Sequence, residues 1–350
     1  MDNKKITALI LLDLSKAFDS INHNRLLHKL SAVGASPATV QWFRSYLSGR
    51  TQTVRIGSSL SDTLPITHGV PQGAILSPLL FCIYLNDLPG APEECCLESY
   101  VDDSKLFLSF PFADTNNAIR KLEGDLFRIA TWCCQNHLLI NPDKTKFMLF
   151  GTRQLLSRQL TSPTLSFLGK ILFPVTFAKD LGVILDSHLT YNAHISQLVS
   201  SCLAKLVQIS RVKHSFDKTS LSLIIKSLVF SKIFYCSTIW SNTSSRNIKK
   251  IQLIQNFASR IITGVSKFDH VTPILRQLNW LSVRQQLYLR DAVMTYKCVN
   301  NLAPKYLSSN LKQRFALDIR VIEMTSPFLY LGLPRDSDRL LTDRLRSGMT

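Results

Sequence analysis

Cysteines, charged residues and long hydrophobic runs are all scarce in this sequence of 350 residues. The eight cysteines include the adjacent pairs Cys95–Cys96 and Cys133–Cys134, and their spacing fits neither a dense disulfide framework nor a zinc site. The longest apolar stretch, Ala74 to Leu85, is too short to span a bilayer, and no signal-peptide core follows Met1. We therefore expect an intracellular protein with reduced thiols and no membrane partner. The sequence does not distinguish the nucleus from the cytoplasm.

Acidic residues are outnumbered by basic ones. The chain has 24 Asp and Glu against 41 Lys and Arg, which gives a net charge of +17. Residues 1–150 contain 14 residues of each sign, so the whole excess lies after residue 150. A basic excess of this size indicates a polyanionic partner, which we expect the second half to bind. Hydrophobic residues make up 45% of the chain, which excludes a disordered chain, a collagen and a coiled-coil rod.

The order of apolar patterns predicts two domains, residues 1–186 and 187–350, with a boundary between Asp186 and Asn192. The first mixes strands and helices, beginning with Ile6–Leu12, a continuous apolar run typical of a strand buried on both faces. Further elements are predicted at Asn24–Val33, Pro37–Leu47 and Gln72–Leu88 (helices), Thr51–Ile56 (strand), Leu97–Val101 and Lys105–Phe110 (hairpin), Asp114–His137 (helix, capped by Asp114) and Lys146–Phe150 (strand). Short strands follow over Leu165–Leu185. The second domain is predicted to be mostly helical, at His194–Val212, Lys218–Trp240, Asn247–Ile262 and Ser282–Val299.

Three carboxylates stand where predicted strands end. Asp13 follows the apolar run, and Asp102 and Asp103 lie in the predicted hairpin turn. Carboxylates gathered at neighbouring strand ends repel one another unless a cation is present, and their hard oxygens suit Mg²⁺. Such a site serves phosphoryl transfer, whereas a solvent-exposed turn is the alternative interpretation of the acidic pair.

Five segments of the chain resemble, in order, the A to E motifs of a reverse transcriptase of the LINE-like, non-LTR retrotransposon type. These segments are DLSKAFDSINH, HGVPQGAILSPLLFCIYLNDL, SYVDDSKLF, LLINPDKTKFMLF and DLGVILD. The resemblance implies an α+β fold, in which a polymerase palm, an antiparallel sheet backed by helices, precedes a mostly helical thumb and C-terminal extension. It also implies an RNA-directed DNA polymerase that uses an RNA template, a DNA primer and deoxynucleotide triphosphates.

The resemblance assigns catalytic roles to four residues. Asp13 and Asp102 would be the principal ligands of two Mg²⁺ ions, for which Mn²⁺ is a possible substitute, and Asp103 would lie close by as a further ligand. Lys144 would protonate or neutralise the leaving pyrophosphate. Lys146 competes with Lys144 for this role, and a solvated surface lysine is the alternative.

Further residues would bind the substrates. Phe18 would exclude a ribonucleotide 2′-hydroxyl, with a core aromatic as the alternative interpretation. Gln72 and Gly73 would line the nucleotide and template surface. The primer grip would comprise Leu181, Gly182 and Val183, although the same run is typical of an ordinary buried strand.

Other features of the sequence receive structural interpretations. Asp19 is predicted to cap the helix that follows it. The four tryptophans are expected to be core anchors rather than platforms for bases: Trp42, Trp132, Trp240 and Trp280. His137, His188, His194 and Cys133 match no zinc signature, and we expect satisfied or surface histidines.

Only twelve residues precede Asp13, whereas in the family a substantial fingers region precedes the first motif. The chain is therefore expected to be N-terminally truncated, with the fingers largely missing. This leaves a second hypothesis open, a catalytically inactive nucleic-acid-binding remnant with salt-sensitive affinity. A third, an RNA-dependent RNA polymerase, is disfavoured by Phe18 and by the sequence YVDD.

Overall fold

The computed structural model describes residues 5–158, 163–309, 311–316 and 319–324. The chain divides into two compact units, Met1–Gly182 and Val183–Thr350. This division falls shortly before Asp186, where the first predicted domain ends. The segment after Met324, which belongs to the predicted C-terminal extension, lies outside the described residues.

The first unit mixes short and long elements of both kinds. Its strands are β1 (Lys5–Leu12), β2 (Leu14–Ser15), β3 (Thr51–Gln52), β4 (Arg55–Ile56), β5 (Ser59–Leu60), β6 (Leu64–Pro65), β7 (Cys96–Tyr100), β8 (Asp103–Pro111), β9 (Leu139–Ile140), β10 (Lys146–Phe150), β11 (Leu165–Phe167), β12 (Lys170–Leu172) and β13 (Phe177–Asp180). Its helices are α1 (His23–Ala32), α2 (Pro37–Leu47), α3 (Ser77–Leu85), α4 (Thr115–Gln135) and α5 (Arg153–Leu156).

A four-stranded antiparallel sheet forms the centre of this unit, in the order β10-β1-β8-β7. β1 is a central strand with β10 and β8 on its two sides, and five consecutive side chains from Ile6 to Ile10 are buried. Those of Ile6, Ala8 and Ile10 lie in the hydrophobic core. The apolar run was therefore correctly predicted as a doubly buried strand. Helix α4 packs on this sheet and contributes Leu122, Leu126 and Ile129 to the core.

Two predicted elements of this unit were wrong in extent. The expected strand Thr51–Ile56 is two short strands in nested hairpins, since β3 pairs with β6 and β4 pairs with β5 across the turn at Gly57. The expected helix Gln72–Leu88 begins only at Ser77 and ends at Leu85. Its first residues form a turn because Gly73 has a φ of 81° and because Ser77 Oγ donates a hydrogen bond to the carbonyl of Pro71.

Capping and burial produced two further corrections. Asp114 precedes α4, but its side chain makes no capping hydrogen bond, because residues 112–114 already form a 3-10 turn. Trp42 is no core anchor, since 54% of its surface is exposed on α2. Trp132 packs against the core of the first unit. Trp240 is fully buried in the second, as predicted.

The second unit is mostly helical. Its elements are β14 (Val183–Asp186), α6 (Asn192–Val212), α7 (Lys218–Ile225), α8 (Ser231–Ile233), α9 (Ser237–Trp240), α10 (Ser245–Thr263), α11 (Val271–Gln277), α12 (Val283–Val299), α13 (Lys305–Ser308), β15 (Leu311–Ala316) and β16 (Ile319–Met324). The expected helix Lys218–Trp240 is interrupted by a π turn at Lys226–Phe230 and again at Cys236, whose φ is 47°. In addition, β15 and β16 form an antiparallel hairpin that the prediction of helices did not include.

The predicted α+β class is confirmed, with an antiparallel sheet backed by helices in the first unit and a mostly helical second unit. Among the helices that the structure describes, none combines the length and the apolar character that a membrane-spanning segment requires.

Candidate active site

The three predicted carboxylates lie at the same end of the central sheet. Leu12, the last residue of β1, pairs with Ser104 of β8, so Asp13 follows directly at the strand end that faces Asp103. Tyr100 pairs with Asp103, which confines the β7–β8 turn to Val101 and Asp102. The turn is therefore shorter than predicted, and Asp103 is the first residue of a strand.

The turn that carries Asp102 has an unusual backbone. Val101 adopts a φ of 56°, a region that β-branched residues rarely occupy. A positive φ at the first central residue of a two-residue hairpin turn normally calls for glycine. The pairing of Ser99 with Ser104 and a hydrogen bond between their hydroxyls, 2.9 Å apart, help to hold this conformation. Local strain of this kind is common where a turn must present a functional side chain.

The carboxylates influence one another electrostatically. Burial raises the pKa of Asp103, and the negative charges of Asp102, Asp180 and Asp13 raise it further, whereas the ammonium of Lys105 opposes the shift. The accumulated negative charge is the feature that a bound cation would relieve.

The backbone of Asp13 is fixed by a hydrogen bond, and a lysine side chain lies close to its carboxylate. Its carbonyl accepts a hydrogen bond from the backbone N–H of Asn141 (2.8 Å). The side chain of Asn141 accepts hydrogen bonds from the backbone N–H groups of Asp143 and Lys144, so it shapes the loop. This loop brings Lys144 Nζ to 3.6 Å from Asp13 Oδ2. Lys146 instead stands in β10, where it pairs with Leu11.

The carboxylates at this end of the sheet are suitable ligands for a divalent cation whose remaining ligands would come from water and the substrate. Asp13 Oδ2 accepts no hydrogen bond; its ion-pair partner is Lys144, whose Nζ atom lies 3.6 Å away, so the oxygen keeps lone pairs that a metal ion could use. Within the described ranges, no three His, Cys, Asp or Glu side chains converge into a metal cage. Mg²⁺ is commonly held by one or two carboxylates together with water and substrate phosphates, so two carboxylates are sufficient.

Phe18 lies in a short 3-10 turn, Ala17–Asp19, that follows β2. Its ring stacks on Phe81 of α3 with centroids 4.6 Å apart and an angle of 22° between the planes. The Phe18 carbonyl also accepts a hydrogen bond from the N–H of Val70 (2.9 Å). The stacking contact positions the ring, which is only partly buried, and the hydrogen bond fixes its backbone.

Asp19 does not cap the following helix. Asn22 caps α1 by accepting a hydrogen bond from the N–H of Arg25. Asp19 Oδ1 accepts a hydrogen bond from Gln72 Nε2 at 2.8 Å, which places Gln72 beside the Phe18 turn. Gly73 follows Gln72 in an exposed turn, and a Cβ at Gly73 would meet no atom within 4 Å.

The predicted grip residues Leu181 and Gly182 line a pocket of about 250 Å³ together with Asp103. Both have positive φ values, 42° and 88°, as in a tight hairpin turn. Lys105 and Asp180 also line this pocket, and Lys105 Nζ lies 2.7 Å from Asp180 Oδ2. Val183 is different, because its side chain is buried at the start of β14.

Sequence reasoning missed three residues near this site. A Cβ at Gly69 would lie 2.9 Å from both Cα and the carbonyl oxygen of Asp19, so only glycine permits this close approach. Lys105 and Asp180 are 75 positions apart, and their pairing is a tertiary contact. The available signal for Lys105 was a lysine directly before the apolar run Leu106–Leu108 of β8.

Comparisons with known proteins identify the family. Residues 1–172 match the family described as reverse transcriptase (RNA-dependent DNA polymerase). The chain is 30% identical over 298 residues to the probable RNA-directed DNA polymerase from transposon BS of Drosophila melanogaster, which covers 82% of this chain and 32% of that protein. It is 29% identical over 294 residues to the corresponding protein of transposon X-element from the same organism, with 82% and 31% covered.

The chain thus spans about a third of the length of these relatives. Among solved structures, apo telomerase from Candida tropicalis is 13% identical, with a TM-score of 0.36 over 77% of this chain and 43% of that one. The family match contains Asp13, Asp102, Asp103 and Lys144 within its bounds. The chain belongs to the reverse transcriptase family and carries a domain of the type found in LINE-like, non-LTR retrotransposons.

Proposed function

We propose that this chain is an RNA-directed DNA polymerase that adds deoxynucleotides to the 3′-hydroxyl of a primer paired with an RNA template. The observation that carries this proposal is the placement of Asp13, Asp102 and Asp103 at the same end of two hydrogen-bonded strands. Phosphoryl transfer needs charge neutralisation and positioning, and paired carboxylates hold the cations that supply both.

Asp13 and Asp102 would hold two Mg²⁺ ions, or Mn²⁺ in their place, and Asp103 would contribute from the start of β8. When bound, such ions lower the pKa of the attacking hydroxyl and neutralise charge on the leaving pyrophosphate. Asp13 is suited to this role because its Oδ2 atom accepts no hydrogen bond and keeps lone pairs that a metal ion could use. A hydrogen bond from the backbone N–H of Asn141 fixes the backbone that carries this carboxylate.

Lys144 would donate a proton to the pyrophosphate or neutralise its charge. One observation supports Lys144 over Lys146: its ammonium lies 3.6 Å from Asp13 Oδ2. Both lysines are exposed, so exposure does not distinguish them. General acid catalysis requires such a donor within reach of the leaving group.

The remaining residues would bind the substrates. Phe18, held by its stacking on Phe81, would exclude the 2′-hydroxyl of a ribonucleotide. Gln72 and Gly73 would contact the nucleotide and template, and Leu181 and Gly182 would contact the primer end beside Asp103.

Primer extension by the full chain on an RNA template, with Mg²⁺ and deoxynucleotides, tests the proposal. We expect extension by the wild-type chain and none above background by Asp102→Asn. Asp114→Asn is the matched control, because the carboxylate of Asp114 makes no capping hydrogen bond, and it should extend like wild type. If the wild-type chain bound RNA but extended no better than Asp102→Asn, the second hypothesis, an inactive nucleic-acid-binding remnant, would replace this one.

The choice of nucleotide distinguishes the third hypothesis. A reverse transcriptase should incorporate deoxynucleotides in preference to ribonucleotides, and Phe18→Ala should raise the incorporation of ribonucleotides. Preferential use of ribonucleotides by the wild-type chain would instead indicate RNA synthesis.

A further inference from the structure

Helix α2 presents an aromatic side chain to solvent where a core residue was expected. Trp42 is 54% exposed, and its ring stacks on Tyr46 with centroids 5.5 Å apart and the planes only 7° from parallel. Phe43 meets Trp42 edge to face at 5.0 Å. Because Phe43 and Tyr46 both pack against the hydrophobic core, the exposed indole is held in one orientation.

The stack continues with a cation. The guanidinium of Arg50 lies 5.6 Å from the centroid of the Tyr46 ring, so Trp42, Tyr46 and Arg50 form a ladder at successive turns of α2 and just beyond it. The bases of single-stranded nucleic acids commonly stack on aromatic side chains and on arginine, and their phosphates commonly bind arginine.

The charge around this ladder has one sign. Residues 20–61 contain five basic residues and no Asp or Glu, although residues 1–150 as a whole are neutral. Arg44 and Arg50 are exposed on α2 and directly after it, and Arg55 follows in the exposed arm formed by β3 to β6. This local excess matches a polyanion.

We propose that the face of α2 formed by Trp42 and Tyr46, together with Arg50 just after the helix, the α2 ladder face, binds single-stranded nucleic acid by stacking a base on Trp42. The face shares no residue with the proposed active site, and the proposal concerns binding, whether or not polymerisation occurs. A fixed indole loses little conformational freedom on binding, which favours such a contact.

Binding of the full chain to a short 5′-fluorescein-labelled oligouridine, followed by anisotropy in EDTA, tests the α2 ladder face. Base stacking is worth about 1–3 kcal/mol, so Trp42→Ala should weaken affinity by roughly 5- to 150-fold, and Trp42→Phe should retain most of it. Phe127→Ala is the matched control, since Phe127 is an aromatic side chain that is 72% exposed on α4. It should bind like wild type.

Salt dependence separates stacking from phosphate contact. Trp42→Ala should lower affinity without changing the slope of log affinity against log salt, whereas Arg50→Gln should reduce that slope by about 0.7. Binding is measured in EDTA, where no metal-dependent polymerisation takes place, so failure of catalysis and failure of this proposal are distinguishable.

A second measurement covers the case in which Trp42→Ala does not fold. Oligouridine should quench the tryptophan fluorescence of the wild-type chain, and Trp42→Phe should lose most of that quenching while keeping the wild-type melting temperature. Full quenching in Trp42→Phe, or wild-type affinity in a folded Trp42→Ala, would overturn the proposal and leave the α2 ladder face as a protein contact.

Discussion

The ammonium of Lys105 lies 2.7 Å from a carboxylate oxygen of Asp180, and both residues line the pocket that contains Asp103. Both side chains are about four-fifths buried, with exposed fractions of 20% and 18%. The pair connects β8 to the strand that precedes Leu181 and Gly182. It therefore links the position of one proposed metal-site carboxylate to the position of the proposed primer contact.

Breaking this pair should change the Mg²⁺ requirement in opposite directions. Lys105→Met leaves an extra negative charge near Asp103 and should lower the Mg²⁺ concentration for half-maximal primer extension by severalfold. Asp180→Asn leaves an unpaired ammonium there and should raise it, because like charges repel a bound cation. The double variant should return towards the wild-type requirement. Shifts of the two single variants in the same direction would contradict this electrostatic account.

Lys144 and Lys146 offer a matched comparison. Because Lys144 Nζ lies 3.6 Å from Asp13 Oδ2, Lys144→Ala should slow single-nucleotide incorporation by about 100-fold, the lower end of typical general-acid contributions. Lys144→Arg keeps the charge and should retain more activity than Lys144→Ala. Rapid-quench measurement of one incorporation would check both, and equal losses in Lys144→Ala and Lys146→Ala would remove the special role of Lys144.

Gly69 should be intolerant of a side chain. Gly69→Ala introduces a Cβ that would lie 2.9 Å from the backbone of Asp19, in addition to the strain of a φ of 85°. Gly49 is the control, since its φ is 67° but a Cβ there would meet no atom within 4 Å. In urea denaturation, Gly49→Ala should cost about 1 kcal/mol of stability and Gly69→Ala at least about 2 kcal/mol. Equal losses of stability in the two variants would show that the Asp19 backbone can shift at little cost in free energy.

Asp125 should contribute to stability through its ionised form. This buried carboxylate accepts hydrogen bonds from three successive backbone N–H groups, those of residues 93–95, and from Arg128. Burial alone raises the pKa of Asp125, but the hydrogen bonds outweigh burial and the pKa is lowered. Asp125→Ala should therefore lower the free energy of unfolding at neutral pH by roughly 3 kcal/mol.

The pH dependence of Asp125 has a definite sign. Because its folded pKa lies below the unfolded value near 4, the stabilisation is present above about pH 4 and is lost as the pH falls through the folded pKa. The difference in stability between wild type and Asp125→Ala should shrink in acid. A difference that stayed constant from neutral pH into the acid range would contradict the role of the ionised carboxylate.

Asp291 in α12 should behave in the opposite way. Burial raises its pKa to about 6, which a hydrogen bond with Ser241 only partly offsets, and its Oδ1 atom has no hydrogen-bond partner. The folded carboxyl stays protonated up to about pH 6 and the unfolded one only to about pH 4, so stability decreases as the pH rises between these values. Asp291→Asn should raise the melting temperature at pH 7.5 and change it little at pH 4. A larger gain at pH 4 would show that burial of the charge is not the cause.

Local patterns in the sequence were sufficient for much of the first unit. The apolar run before Asp13, the helix from Pro37 to Leu47 and the strand from Lys146 to Phe150 each follow from residues that are close together in the chain. The same holds for the family, because its motifs are short and ordered. Capping was less predictable, since Asp19 and Asn22 both resemble caps and only the path of the backbone decides between them.

Tertiary structure decided how these parts meet. Three relationships join residues that are distant in sequence, and each depends on packing and on the path of the chain. They are the strand register that places Asp13 beside Asp103, the approach of Lys144 to Asp13, and the pairing of Lys105 with Asp180. The exposure of Trp42 could not be predicted either, because an aromatic residue on a helix has the same local pattern whether or not another element covers it. Composition and motifs thus specify the chemistry that is present, while the sheet register and the packing of distant segments determine which of those groups act together.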